Sequence, residues 1–219
     1  MTTNSVPQKP RLALLFALIC LLVSFSANAQ TPAAAKVTLT KQERADALKY
    51  LEDTRKKFLA SVKGLSEEQW KFKSAPDRWS VAEVAEHIAL SEDMLFGVAT
   101  VQAMKSPATP EKKEASKAKD ATLLKMVTNR STKAQAPEQL KPKNKWATQS
   151  ELVKAFNASR DKTKNFVKTT QEDMRAHFLP HPLLKELDAY QWLLLLASHS
   201  ERHTLQILEV KADPNFPKK

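Results

Sequence analysis

Four times in this chain a Thr, Ser or Asp is followed three residues later by Glu or Gln: "TKQE" at 40–43, "SVAE" at 80–83, "TQSE" at 148–151 and "DAYQ" at 188–191. Each is the signature of a capping box, in which the first side chain accepts from a backbone N–H that the helix start leaves unpaired and the acid or amide reaches back to the cap. An apolar face at helical spacing follows each box. Ala47, Leu48, Leu51, Phe58 and Val62 follow the first, and Leu152, Ala155, Phe156 and Val167 the third. Trp79 and Val84 flank the second box as a hydrophobic staple. Pro180 and Pro182 bar the fourth helix from starting earlier. The spacing predicts helices over about 40–63, 80–103, 148–169 and 188–211. Glycine occurs only twice and no run alternates as a strand would, so the expected fold class is all-α, a four-helix bundle with no strands. A long basic crossover joins the second and third helices, with one short helix expected near "DATLLKMV".

The first residues read as a targeting signal rather than as part of this fold. Lys9 and Arg11 precede an apolar stretch from Leu12 to Phe25, and "ANA" at 27–29 is a small-x-small cleavage site. The expected organisation is a signal peptide at 1–29 and one domain at 30–219, exported to the periplasm or secreted, with no stable membrane association after cleavage. The alternative is an uncleaved anchor. The single cysteine, Cys20, lies inside the signal, and Ile19 before it is not the small residue that a lipoprotein signal requires. The domain itself would have no thiol, which excludes thiolate catalysis and cysteine-held zinc.

The formal charge of +11 raises the question of nucleic acid. Its distribution argues against it: residues 105–145 hold eleven Lys/Arg against four Asp/Glu, the signal adds +2, and only about +2 is spread over the rest. The basic segment lacks aromatic residues interleaved for stacking on bases. It reads as a solvated loop, and no nucleic-acid partner is expected.

Five histidines serve the chain, and two sit four apart in the apolar run "YQWLLLLASHSERHTLQILEV". On a helix, His199 and His203 share a face and can address one metal ion. A zinc-type site wants three protein ligands, and His87, on the face Val84, His87, Ser91, Met94, Leu95, is the candidate third. A lone histidine on an apolar face is more often a satisfied core residue than a ligand. Three such rings mid-helix would be costly to bury without a shared partner. The pattern is not that of a zincin: Ser200 follows His199, and Glu201 lies about 200° round the helix from it. His177 and His181 are also four apart, but Pro180 between them denies them a helix; His181 is a conceivable fourth ligand. Trp192 shares the metal face as core or pocket wall, and Tyr190 could do either. Glu86 lies about 100° from His87, and Ser91 could orient a substrate. No general base or other catalytic residue is assigned.

The stretches "GLSEEQWKFKSAPDR" at 64–78, "WSVAEVAEHIALSE" at 79–92 and "HPLLKELDAYQWLLLLASHSERHTLQILEVKADPNFP" at 181–217 resemble the DinB-like superfamily (DinB/YfiT-like proteins), and the likeness covers most of the chain after the signal. The resemblance implies a four-helix bundle, commonly a homodimer, with a divalent metal ion, zinc or nickel, held by three histidines. The matching positions here are His87, His199 and His203. Some relatives transfer low-molecular-weight thiols such as bacillithiol or mycothiol; others look like metal-dependent hydrolases. Export separates this chain from those cytoplasmic thiols, so a hydrolase acting on a small molecule is the expected function. The alternatives are a non-catalytic, structural metal-binding bundle and a thiol S-transferase.

Overall fold

The computed structural model describes residues 1–4, 38–131 and 135–218. The expected signal peptide therefore lies almost wholly outside the described residues. The chain divides into two units, Met1–Ala35 and Lys36–Lys219. In the first, residues 1–4 are irregular; the second carries every element below.

Its helices are α1 (Lys41–Val62), α2 (Glu67–Lys71), α3 (Val81–Gly97), α4 (Lys113–Lys117), α5 (Asp120–Thr128), α6 (Gln149–Thr169) and α7 (Ala189–Lys211), with strands β1 (Phe178–His181) and β2 (Lys185–Asp188) before the last. All four expected capping boxes are formed, on Thr40, Ser80, Thr148 and Asp188, with both reciprocal hydrogen bonds present in each. A fifth, Ser66 with Gln69, starts the short α2. α1 stops at Lys63, where Gly64 adopts φ 66°, the left-handed turn that releases a helix C-terminus. α3 runs on through one π turn, Val98–Gln102, and a 3₁₀ turn, Ala103–Lys105, so its helical course ends near the expected limit.

The long helices α1, α3, α6 and α7 form the bundle. α7 packs on α1 and α3, and α6 packs on α1 and α3. The order round the bundle is thus α1, α7, α3, α6, with α1 diagonal to α3 and α6 diagonal to α7. Helices that follow one another in sequence face across the core at two of the three connections.

Two apolar clusters fill the bundle. One holds Leu51, Leu95, Val167 and Leu196; the other holds Phe58, Ile88, Phe156 and Ile207. Between them every helix contributes a polar residue: Thr54, Glu92, Arg160 and Ser200, all buried. Arg160 is fully buried and all five of its N–H groups are used. They donate to Glu92 Oε2 (2.8 Å) and Oε1 (2.6 Å), Ser200 Oγ (3.0 Å), Leu51 O (2.6 Å) and Thr54 Oγ1 (2.7 Å). An ion pair so placed contributes little net stability against an apolar pair of equal volume, but neither partner can be lost alone without a large penalty.

Two expectations need correction. The chain does contain strands: β1 and β2 pair antiparallel as a hairpin, Pro180 opposite Glu186. Proline is tolerated because, among the described residues, each strand pairs with one other strand only and Pro180 owes no N–H to a second. The basic crossover is not simply a solvated loop either. It holds α4 as well as the expected α5, and its backbone is pinned to the bundle. Arg175, buried and stacked on Tyr190, binds Asp120 of α5 (2.6 Å), Glu43 (2.8 Å) and Asp188 (3.0 Å). Ser116 of α4 donates to Asp188 (2.5 Å). No helix among the described residues is long and apolar enough to cross a membrane.

Candidate metal centre

His87 comes from α3, and His199 and His203 from successive turns of α7, the helix packed beside it. The caps at Ser80 and Asp188 fix where both helices begin, and the apolar runs that follow set their rotation. The structure brings the three rings together: their centroids are 4.4–5.0 Å apart, and one nitrogen from each lies within 4.8 Å of the others. Among the described residues no fourth His, Cys, Asp or Glu joins the group.

The hydrogen bonds orient two of the rings. His87 Nδ1 faces the Leu140 carbonyl at 2.9 Å and His203 Nδ1 faces Gln206 Oε1 at 2.8 Å. Both partners are acceptors, so each Nδ1 carries the proton and each Nε2 keeps its lone pair. His87 Nε2 and His199 Nε2 are 3.3 Å apart. Two imidazole nitrogens bound to one tetrahedral ion at about 2.0–2.1 Å would be about 3.3 Å apart. His199 Nδ1 is buried with no hydrogen-bond partner among the described residues. Burial lowers the pKa of all three; His199 is pushed well down, also by the neighbouring rings of His203 and His87, and His203 falls to about 3. The rings are therefore neutral at physiological pH, the form in which imidazole ligates. Donor type, number, spacing and protonation fit a divalent ion.

The other residues singled out in the sequence are not members of this group, although His181 is near enough to help lower the His199 pKa. Glu86 is buried, and its carboxylate accepts from the backbone N–H groups of Lys143, Asn144 and Lys145 at 2.8–3.1 Å. Glu201 accepts from Tyr50 Oη at 2.6 Å and pairs with Lys57. Ser91 Oγ donates to the carbonyl of His87 within its own helix. His177 Nδ1 donates to the carbonyl of Ser106. His181 accepts at Nδ1 from the N–H groups of Leu183 and Leu184 and lies against Trp192, its ring 5.3 Å from the indole. Trp192 and Tyr190 are buried core residues. Residues that sequence reasoning missed are Leu140 and Gln206, the partners of two of the clustered rings, and Trp79, whose ring lies 5.1 Å from that of His87. The sign for Leu140 was one apolar residue alone in the polar run "EQLKPKNK".

Fold and site together define a helical-bundle protein with a three-histidine cluster of metal-binding geometry. The chain belongs to the DinB superfamily, whose family model matches residues 50–207, a span that includes all three histidines. It is similar to the uncharacterized protein YuaE of Bacillus subtilis, 26% identical over 157 residues that cover 68% of this chain and 88% of that protein. In fold it is similar to YfiT from Bacillus subtilis, described as a probable metal-dependent hydrolase with an unusual four-helix bundle topology. The two align with a TM-score of 0.51 at 17% identity, over 80% of this chain and 89% of that one.

Proposed function

We propose that the protein is a metal-dependent hydrolase that holds one divalent ion, zinc or nickel, on His87, His199 and His203. The observation that carries this reading is the convergence of three neutral imidazoles with no fourth protein ligand among the described residues. Such an ion keeps its full charge and an open position, and when bound it supplies a Lewis acid for a carbonyl or phosphoryl group. The chain's own part is positioning. Leu140 and Gln206 hold two rings in the ligating tautomer, and Trp79 covers one flank of His87. Glu86 and Glu201 are engaged elsewhere, so neither serves as base in this arrangement. With this reading goes export through residues 1–29, which separates the protein from cytoplasmic thiols and favours hydrolysis over thiol transfer.

The test is metal content of the purified protein beside a His199→Ala/His203→Ala variant, followed by a screen of chromogenic esters, amides and phosphoesters. The expected result is about one divalent ion per chain, lost in the variant, and a hydrolysis that a chelator and the variant both abolish. No metal in either protein, with folding unchanged, would overturn the metal site. Bound metal without hydrolysis would leave an ion that clasps α3 to α7.

A further inference from the structure

The last stretch of the basic crossover passes beside the histidine cluster, and the residue that ties it down is the immediate neighbour of a ligand. Leu140, at the end of a 3₁₀ turn over Glu138–Leu140, is buried, and its carbonyl accepts the Nδ1 proton of His87. Six residues on, Trp146 packs against the apolar cluster of Phe58 and Phe156. Between these anchors the chain turns through Asn144, whose φ of 56° is in the left-handed region. That turn aims three successive N–H groups at one point, the kind of concavity that binds an anion. The anion here is Glu86. Its Oε1 accepts from Lys143 (2.8 Å) and Lys145 (3.1 Å), and its Oε2 from Asn144 (3.0 Å), with the residue only 5% exposed. The side chains of Lys141, Lys143 and Lys145 remain exposed, so the backbone of this segment, not its charge, makes the contact.

We infer that Glu86 is a positioning residue for the metal site: by gripping the 143–145 backbone it holds the Leu140 carbonyl against His87 and so keeps the His87 Nε2 lone pair facing the cluster. This rests on the reading of His87, His199 and His203 as ligands. Without the grip, the carbonyl is free to withdraw and His87 can take either tautomer, one of which presents an N–H where a lone pair is needed. A group that orients a ligating histidine in this way is worth about 10- to 100-fold in metal affinity.

The experiment is a Co²⁺ titration of the full chain, followed by the visible absorption of the bound ion, for the wild type, Glu86→Gln and Lys143→Pro. Glu86→Gln keeps the size of the side chain but sets an amide N–H₂ against a backbone N–H. Lys143→Pro removes one donor from the loop side and leaves α3 untouched, so it decides the matter if the first variant does not fold. The expected result is about a 10-fold or greater rise in the Co²⁺ dissociation constant in each, with an altered absorption band and an unchanged far-UV circular dichroism spectrum. Wild-type affinity and spectrum in variants whose Asn144 and Lys145 amides exchange faster would overturn the inference and leave Glu86 a loop anchor. A wild-type protein that takes up no Co²⁺ would overturn the metal reading itself, and this one with it.

Discussion

Without a metal ion the protein should be unusually sensitive to mild acid. Above pH 6.5 the histidines of the unfolded chain are neutral, as are those of the cluster (His87 buried, His199 and His203 half-buried), and their desolvation carries no protonation penalty. As pH falls below 6.5 the unfolded chain takes up protons that the folded protein refuses, so stability falls with pH until the folded pKa values are reached. A histidine still neutral in the folded state at pH 5.5 costs about 1.4 kcal/mol there relative to pH 7.5. His199, pushed far down, and His203, at about 3, both stay neutral at pH 5.5. Together they cost about 3 kcal/mol, and His87 adds a fraction because its pKa is lowered as well. For a domain of this size that corresponds to a Tm lower by about 6–12 °C. The assay is thermal or urea unfolding of chelator-treated protein at pH 7.5 and 5.5, beside His199→Gln/His203→Gln. Carboxylates titrate in both proteins, so the difference between them isolates the two rings. If the variant loses as much stability on acidification as the wild type, the rings are not buried neutral and the reasoning fails.

Two further outcomes are expected. Arg160→Met leaves Glu92 buried without its partner and should cost about 3–5 kcal/mol in urea unfolding, while Arg160→Met/Glu92→Met should recover most of it; a single-variant cost below about 1 kcal/mol would show that the pair is solvated or dispensable. Gln206→Leu removes the acceptor on His203 Nδ1 and should weaken Zn²⁺ binding about 10-fold in a chelator competition with little change in the unfolding of the metal-free protein; unchanged affinity would mean that His203 needs no partner to ligate.

What could be read in the sequence was local. A capping box closes over three residues, so Thr40, Ser80, Thr148 and Asp188 announced their helices without help from the fold, and the four-residue step from His199 to His203 needs only helical geometry. His87 could be added because it is the one possible metal ligand on the face Val84, His87, Ser91, Met94, Leu95. The same kind of sign was present at Arg160, which continues the buried i, i+4 series Leu152, Phe156 on α6, but its partner Glu92 is 68 residues away and nothing local names it. Glu86 illustrates the limit. Its role depends on backbone N–H groups 57 to 59 residues distant, in a loop whose side chains point elsewhere. The hairpin was hidden because each strand is four residues long, one contains Pro180, and one backbone N–H of β1, at Phe178, goes to Ser106, 72 residues away. Charge counting identified the basic crossover; it could not show that single residues, Ser116, Asp120 and Leu140, fasten it to the bundle.

The diagonal arrangement of the bundle has a consequence for how the protein is made. α7 is the wall shared by α1, α3 and α5, and it brings two of the three histidines and the serine that completes the Arg160 network. It is also the last of the four long helices to leave the ribosome. Until it arrives, α1 and α3 face each other across an empty corner, and α5 has nothing to lie on. α6 already packs on both α1 and α3, so part of the core can form before α7; what waits for α7 is the opposite wall, which closes the bundle and brings the site together. A chain interrupted before Ala189 keeps the contacts of α6 with α1 and α3 but leaves exposed the apolar surface that α7 covers, with one of the three histidines present.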